Sequence, residues 1–306
     1  MAGANARTGK LRKTSKIGVV LHPFRVKRSF IERKVFPVLE RHGFAPEFLS
    51  PTLNETNPPR PAALPKDHGL SYLMVFGGDG TYLGASRLAA RAGIPIIGVE
   101  MGKMGFLCQA KLEELEPLAA LLASGGYETE KRILLQGSII RGGAKAASDI
   151  ALNDVVIGNA TIPRMLDLDC YIDDNFLVSY YADGLIVSTP TGSTAYAMAA
   201  GGPIIDPTLR TIMVTPICAH SLYIRPLVVP EDKTVRILPE PGGPPLMATF
   251  DGQVFYNLEE GDEVRISRYS KPLKMIKLRD FNFINTLMKK FKWGFKYSNE
   301  YTSGGA

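Results

Sequence analysis

The sequence predicts an α/β fold class for its first half and an all-β class for its second half. Short apolar runs alternate with helical patterns over residues 17–123, which indicates βαβ units and a mostly parallel sheet. After residue 127 the strands become short, and residues 166–172 alternate apolar and polar side chains. That period of two is typical of a half-buried antiparallel strand. We therefore predict an α/β domain over residues 17–126 and a β-rich domain over residues 127–280.

Local patterns predict the first elements. Residues 17–22 form an apolar run typical of a buried strand. Ser29 and Glu32 match a capping box, which predicts a helix that starts there and ends near Gly43. Pro37 should kink this helix, because proline removes a backbone hydrogen bond inside a helix.

A proline-rich stretch separates these elements from the next strand. Five prolines in residues 50–68 predict a long loop, and a loop of that length is usually functional or mobile. Beyond it, the patterns predict strands over residues 70–76 and 94–99, and helices from Thr81 to Gly93 and over residues 112–123.

Glycine and proline separate the short strands of the second half. The predicted elements are strands over residues 166–172, 234–238, 263–267 and 273–278, and one helix over residues 193–200. The last segment, residues 281–293, is amphipathic and predicts a helix. Residues 1–16 are predicted to be a flexible basic arm.

Composition excludes several protein classes. The chain has 306 residues, 45% hydrophobic and 22% charged, which suits about two globular domains and excludes a collagen or a disulfide scaffold. No apolar stretch approaches the ~18–20 residues of a membrane span, and no apolar block follows the first basic residues, so we expect neither a membrane segment nor a secretory signal. Three well-separated cysteines fit a reducing, cytoplasmic location.

The net charge of +6 is unevenly distributed. Residues 1–30 contain eight Lys or Arg and no acid, and residues 271–306 contain eight against two acids, so the body between them is acidic. An acidic body is a poor nucleic-acid surface. We interpret the basic ends as solvated termini, although they could bind a polyanion, and we expect no nucleic-acid or membrane partner.

The first chemical candidate is Gly77-Gly78-Asp79-Gly80, between a predicted strand and a predicted helix. Glycines let a ligand approach the backbone, and a helix N-terminus offers free N–H groups to phosphate. A carboxylate beside phosphate makes sense if Asp79 accepts a proton from an attacking hydroxyl or helps to hold Mg²⁺. Taken alone, the motif is equally an ordinary turn.

Two further segments combine strand ends with polar side chains. An apolar strand from Asp183 leads into a hydroxyl-rich turn and a helix start with Ser193 or Thr194 as its N-cap. Asn153 and Asp154 offer an amide and a carboxylate at the head of another apolar run, which suits a purine edge or a ribose diol. Taken alone, the first segment is better interpreted as a well-capped helix, and the second as a turn before a strand.

Together these segments resemble the ATP-NAD kinase family. The resemblance depends on GGDGTYLGASRLAA, GVEMGKMGFL, LNDVVI and DGLIVSTPTGSTAYAMAAGGPIIDP, and continues through HSLYIRPLVVP to DGQ at residues 251–253. It covers nearly all of residues 17–292. GGDG alone is shared with diacylglycerol, sphingosine and phosphofructo-kinases, whereas TPTGSTAY with the Asn-Asp pair is specific to NAD kinases.

The resemblance implies a fold and a reaction. It implies an N-terminal Rossmann-like α/β domain with the GGDG loop, a C-terminal β-sandwich that binds NAD, and a C-terminal helix and tail (residues 281–306) that pack on the first domain. The implied reaction phosphorylates the adenosine 2′-hydroxyl of NAD with ATP, or with polyphosphate, to give NADP. It further implies Mg²⁺ or another divalent metal as cofactor, and a homodimer or homotetramer with sites built partly across subunits.

The resemblance also implies a role for individual residues. Asp79 would be the general base, backed by Gly80, and Gly77 and Gly78 would admit the ATP phosphates. The dinucleotide would contact Asn153, Asp154, Arg164, Tyr181 and Asp183, an adenosine pocket formed by Thr194, Ala195, Tyr196, Ala197, Met198 and Ala199, and Gln253 from the late strands.

Two residues depart from the family pattern. Glu100 stands where relatives commonly carry Asn, which adds negative charge near the implied phosphate site, and Tyr181 stands where others often carry Arg or Gly, which bears on the choice between NAD and NADH. The four histidines are scattered without ligand spacing, so no resident metal centre is predicted.

Two other functions remain open at this stage. A lipid or sphingoid-base kinase would share GGDG but needs an apolar channel, whereas residues 183–196 are rich in Thr and Ser. A non-catalytic dinucleotide sensor would gain nothing from a carboxylate beside phosphate.

Overall fold

The computed structural model describes residues 15–49, 64–65, 67–102, 105–161, 164–278 and 281–293. In chain order its first elements are β1 (Ser15–Leu21), α1 (Arg28–Lys34), α2 (Phe36–Arg41), β2 (Phe44–Leu49), β3 (Leu70–Gly77), α3 (Asp79–Ala92), β4 (Ile96–Glu100), β5 (Ala110–Lys111), α4 (Leu115–Ser124) and β6 (Glu128–Arg132). The remainder are β7 (Leu135–Arg141), β8 (Ala144–Ala151), β9 (Asp154–Asn159), β10 (Leu166–Ile172), β11 (Asn175–Ala182), β12 (Gly184–Ser188), α5 (Tyr196–Ala199), β13 (Thr211–Ile217), β14 (Leu227–Pro230), β15 (Val235–Pro239), β16 (Leu246–Phe250), β17 (Val254–Leu258), β18 (Glu263–Arg268), β19 (Leu273–Lys277) and α6 (Phe283–Phe291).

The first sheet is mostly parallel and buried on both faces. Its strand order is β2-β1-β3-β4-β19-β6, with β5 beside β4, and of these strands only β6 pairs antiparallel. Alternate residues of β3 enter two different apolar clusters: Leu73 packs with α3, and Met74 packs with α1, α2 and α4. Because side chains alternate along a strand, a sheet covered on both faces needs a continuous apolar run, as residues 70–76 supply. The predicted α/β class is confirmed.

The second and third sheets form a β-sandwich. Their orders are β11-β10-β15-β18-β7-β8 and β14-β13-β12-β9-β16-β17, and neighbouring strands in both sheets pair antiparallel. One apolar cluster joins their facing sides, with Leu168 and Ile237 from one sheet and Val187 and Phe250 from the other. The predicted all-β class of the second half is confirmed.

Sheet pairing differs from the predicted boundaries at 126 and 280. Both β6 and β19 lie inside the predicted second domain, yet they join the first sheet, with β19 between β4 and β6. The chain therefore leaves the first sheet at Arg132 and returns to it at Leu273. The local pattern predicts the strand over residues 273–278, but it does not predict that β4 and β6 are the partners of this strand.

The structure corrects four local predictions. Ser29 does not cap a helix, since α1 begins at Arg28 after Lys27, and Pro37 opens a second helix instead of kinking one. The predicted helix over residues 112–123 begins as a 3₁₀ turn at Leu112–Glu114. The helix predicted over residues 193–200 is a 3₁₀ turn, Thr191–Thr194, followed by the short α5.

Parts of three predictions lie outside the described residues. They are residues 1–14 of the basic arm, most of the proline-rich stretch (50–63 and 66) and the tail from residue 294. Within the described residues, no helix is both long and apolar enough to cross a membrane.

Candidate active site

A cavity of about 340 Å³ lies where the two halves of the chain meet. It is bounded by the head of α3, the loop before β5, the turn before β9, the turn after β12 and the end of α6. The side chains that line it are Asp79, Phe106, Leu107, Asn153, Thr191, Thr194, Ala195, Lys290 and Phe291. Its volume is in the range of small-ligand sites. Four residues predicted from three separate segments, Asp79, Asn153, Thr194 and Ala195, therefore share one cavity.

Backbone N–H groups orient the Asp79 carboxylate. Asp79 is the first residue of α3, two residues before the predicted start of the helix. Its Oδ2 accepts a hydrogen bond from Phe106 N at 2.8 Å, and its Oδ1 accepts one from Leu107 N at 3.1 Å. A Cβ atom at Gly105 would lie 1.9 Å from Oδ1, so only glycine lets the loop approach this closely.

Glycine also shapes the start of α3. A Cβ atom at Gly77 would lie 2.5 Å from Thr81 Oγ1, whereas one at Gly78, the extended N-cap residue, would meet nothing within 4 Å. The first N–H groups of a helix have no intrahelical acceptor, and the helix dipole adds positive potential there. The head of α3 can therefore bind an anionic group beside Asp79.

Asn153 is presented by two packed turns. Thr189 N donates to Asn153 O at 2.8 Å, and Thr189 Oγ donates to Leu152 O at 2.5 Å. A Cβ atom at Gly192 would lie 2.1 Å from Asn153 O. The hydroxyl-rich turn after β12 thus lies directly on the turn that carries Asn153, which places both at the cavity wall.

A buried carboxylate, Asp251, holds the Asn153 turn from behind. It accepts backbone hydrogen bonds from Leu152, Asn153 and Asp154 at 3.1, 2.7 and 3.4 Å, and pairs with the Arg87 guanidinium at 3.1 Å. Burial raises the pKa of the Asp251 carboxyl, and the Arg87 charge opposes that rise. Burial also raises the pKa of Asp154 to about 7, with a smaller contribution from the Asp251 charge.

Gln253 joins the two domains at the head of α3. Its Nε2 donates to Gly80 O at 2.6 Å, and its Oε1 accepts from the Arg87 guanidinium at 2.9 Å. Gly80 and Gln253, both predicted site residues, are therefore in contact, although neither lines the cavity.

Other predicted site residues lie away from the cavity lining. Tyr181 and Tyr196 are each 48% exposed, and the Tyr181 ring packs edge-on against His220 with centroids 6.2 Å apart. Arg164 is exposed, and Ala197 belongs to a buried apolar cluster. Asp154, Asp183, Met198 and Ala199 also fall outside the lining. Neither Ser193 nor Thr194 is an N-cap, because both lie inside the 3₁₀ turn and Ala195 precedes α5. The Ser193 hydroxyl donates to Pro190 O at 2.7 Å within that turn.

Sequence reasoning missed five lining residues: Phe106, Leu107, Thr191, Lys290 and Phe291. Phe106 and Leu107 lie within the GVEMGKMGFL segment, and the glycine before them was the signal available. Lys290 and Phe291 are about 210 residues from Asp79 in sequence, and only the predicted return of the last helix pointed to them.

Two family models match the chain. The ATP-NAD kinase N-terminal domain matches residues 17–127, and the ATP-NAD kinase C-terminal domain matches residues 152–278.

Similar proteins and structures agree with these matches. The chain is 46% identical over 222 residues to the NAD kinase of Moorella thermoacetica, covering 72% of this chain and 71% of that one. It is 40% identical to the NAD kinase of Geotalea daltonii, covering 72% and 78%. Its fold is similar to that of yeast NADH kinase complexed with NADH (TM-score 0.78, 24% identity, covering 94% and 90%). It is also similar to that of an NAD kinase from Archaeoglobus fulgidus in complex with ATP (TM-score 0.69, 22% identity, covering 90% and 98%).

Proposed function

The chain belongs to the ATP-NAD kinase family, and from that premise we propose that it transfers the terminal phosphoryl group of ATP to NAD. We place the transfer at the 2′-hydroxyl of the adenosine ribose, which gives NADP. The observation that carries this proposal is the oriented Asp79 carboxylate in a cavity that Asn153, Thr194 and Ala195 also line.

Asp79 is the proposed general base. Its two backbone hydrogen bonds fix the carboxylate plane, while each oxygen keeps a further lone pair that can accept the proton of a hydroxyl in the cavity. A base fixed in this way loses little entropy when the substrate hydroxyl arrives. Phosphoryl transfer depends mainly on positioning and charge neutralisation, so no nucleophilic side chain is required.

The two substrates are assigned to different walls of the cavity. The head of α3, with Gly77, Gly78 and Gly80, is proposed to receive the ATP phosphates. Asn153, Asp154, Thr194 and Ala195 are proposed to hold the adenosine part of NAD, with Tyr196, Ala197, Met198, Ala199 and Gln253 around it and Arg164, Tyr181 and Asp183 toward its other half.

A magnesium ion fits this site as part of the ATP complex. Mg²⁺ in kinases is usually held by one or two carboxylates together with substrate phosphates, and the cavity lining contains one carboxylate, Asp79. Among the described residues, no group of three or more His, Cys, Asp or Glu could hold a metal by itself. The ion would neutralise phosphate charge, and Asp79 would supply a protein oxygen to it.

We also propose a homodimer or homotetramer in the cytoplasm. Support for the assembly comes from Tyr181 and Tyr196, whose rings are half exposed in the single chain. A neighbouring subunit that covered these rings would complete the outer part of the site.

Support for the proposed cytoplasmic location comes from the three cysteines, which are all unpaired thiols.

A product assay tests the proposed reaction. The purified protein is incubated with Mg²⁺ and NAD, together with either ATP or polyphosphate, and NADP is measured with a dehydrogenase that accepts only NADP. We expect NADP with ATP, and the second donor decides whether polyphosphate also serves. Absence of NADP with both donors would contradict the proposal. In a parallel incubation with a sphingoid base in place of NAD, phosphorylation of that base would support the lipid-kinase alternative.

A further inference from the structure

The last helix, α6, is fastened to the loop that orients Asp79. Phe106 packs against Phe283 and Phe291 of α6, with ring centroids 6.2 and 5.9 Å apart. The Lys290 ammonium lies 4.3 Å from the centre of the same ring, a cation–π distance. The backbone N–H of Phe106 meanwhile donates to Asp79. One residue thus links α6 to the carboxylate.

This attachment places a positive charge beside the reacting carboxylate. Lys290 Nζ lies 4.0 Å from Asp79 Oδ2, which is an ion-pair distance and too long for a hydrogen bond. Among the described residues that line the cavity, Lys290 carries the one positive charge and Asp79 the one negative charge. The ammonium is therefore held near Asp79 by the Phe106 ring without being hydrogen-bonded to the carboxylate.

A second carboxyl group, that of Glu100, adds to the negative charge that Lys290 offsets. Burial raises the pKa of Glu100, the negative charge of Asp79 adds to the rise, and the positive charges of Lys111 and Lys290 oppose it. A triphosphate entering this region adds several further negative charges. Glu100 is paired with Gly77 across β4 and β3, so its charge lies close to the head of α3. Mg²⁺ bound to ATP would neutralise part of the phosphate charge, and a fixed protein cation would offset the remaining repulsion from Asp79 and Glu100.

We propose that Lys290 is a substrate-binding residue of this kinase, whose ammonium contacts the terminal phosphate of the donor beside Asp79. The inference rests on the proposed function and extends it to a helix outside both matched domains. Lysine suits this task as a compact charge with three rotatable donors. A cation that is already in place can also stabilise the negative charge that develops on the phosphate during transfer.

A plainer role for Lys290 must be separated from this one. Lysines in the last turn of a helix stabilise its dipole, and α6 ends with Lys289 and Lys290. Lys289 shares that benefit, is exposed and does not line the cavity. Lys289→Met therefore serves as the matched control for Lys290→Met, which keeps an apolar stem against Phe106 while removing the charge.

The test combines turnover with a binding measurement that needs no turnover. For Lys290→Met in the full-length protein we expect kcat to fall about 10- to 100-fold, with KM for NAD within about twofold. Its affinity for inorganic tripolyphosphate, measured by calorimetry, should fall about tenfold. Lys290→Arg should recover part of both losses, and Lys289→Met should match the wild type, with all four proteins melting within a few degrees of one another.

Three results would overturn the inference. Unchanged tripolyphosphate affinity in Lys290→Met, equal losses in Lys289→Met, or a rise in kcat on removal of Lys290 would each exclude a phosphate-binding role. The failure of the proposed function has a different signature. The wild type would then make no NADP, and tripolyphosphate binding would still test Lys290.

Discussion

Two aspartates, Asp79 at the start of α3 and Asp251 after β16, differ in what surrounds them. Asp79 and Asp251 each accept backbone hydrogen bonds from a neighbouring loop. The Asp79 side chain is 31% exposed and lines the cavity, whereas that of Asp251 is fully buried and paired with Arg87. The same residue type, held by backbone N–H groups in both places, is a structural anchor at Asp251 and is proposed to be the reactive group at Asp79. Exposure to the cavity distinguishes the two roles.

The largest expected effect tests the exposed member of this pair. Asp79→Asn removes the proton acceptor and should lower kcat by roughly 10²–10⁴, the usual contribution of a general base. One of the two backbone hydrogen bonds is also lost, which should cost only ~1 kcal/mol of stability. Steady-state kinetics and thermal melts check both values. Near-normal turnover would mean that Asp79 is structural.

Substitution of Asp251, the buried aspartate, should lower the free energy of unfolding. Asp251→Asn leaves the Arg87 charge buried without its partner, and breaking such a pair usually costs about 3–5 kcal/mol. Urea unfolding measures the loss, and Asp232→Asn, which removes an exposed carboxylate, is the control. If Asp251→Asn instead kept full stability and lost turnover, the assignment of roles to the two aspartates would be reversed.

Asn153, which is proposed to hold NAD, donates its backbone N–H to Asp251 and lines the cavity together with Asp79. Asn153→Ala should raise KM for NAD by about tenfold or more and leave KM for ATP nearly unchanged, since a lost hydrogen bond to a buried polar ligand costs ~1–3 kcal/mol. Tyr196→Ala should show the same asymmetry, and Asn175→Ala, at an exposed strand start, should show neither change. A higher KM for ATP with an unchanged KM for NAD would mean that the two substrates bind the opposite walls from those proposed.

A further prediction concerns the pH dependence of stability at Asp154, whose backbone N–H donates to Asp251. Its folded-state pKa of about 7 lies above its ordinary value of 3.8, so the folded state holds a proton that the unfolded state releases. The stability contributed by that proton is complete at low pH and is lost as pH rises toward 7. Asp154→Asn lacks this loss. As pH rises from 5 to 8, the melting temperature of Asp154→Asn should therefore increase relative to that of the wild type. A difference in melting temperature that does not change with pH would exclude the raised pKa of Asp154.

The sequence predicted the parts of this comparison that depend on local patterns. The buried strand β3, the glycines around Asp79 and the alternation of β10 are all readable within a few residues. The ion pair of Arg87 with Asp251 and the position of Lys290 beside Asp79 join residues more than 160 positions apart, and no local signal encodes such contacts. The capping box predicted at Ser29 is also wrong, because α1 begins at Arg28 with Lys27 as its N-cap residue.

NAD binding by Asp79→Asn, measured at equilibrium without ATP, most directly tests whether Asp79 does chemistry and not binding. We predict a Kd for NAD within a few-fold of the wild-type value in a protein whose turnover has fallen at least a hundredfold. A Kd that rises in proportion to the loss of turnover would show that Asp79 binds the dinucleotide, and would contradict its assignment as the general base.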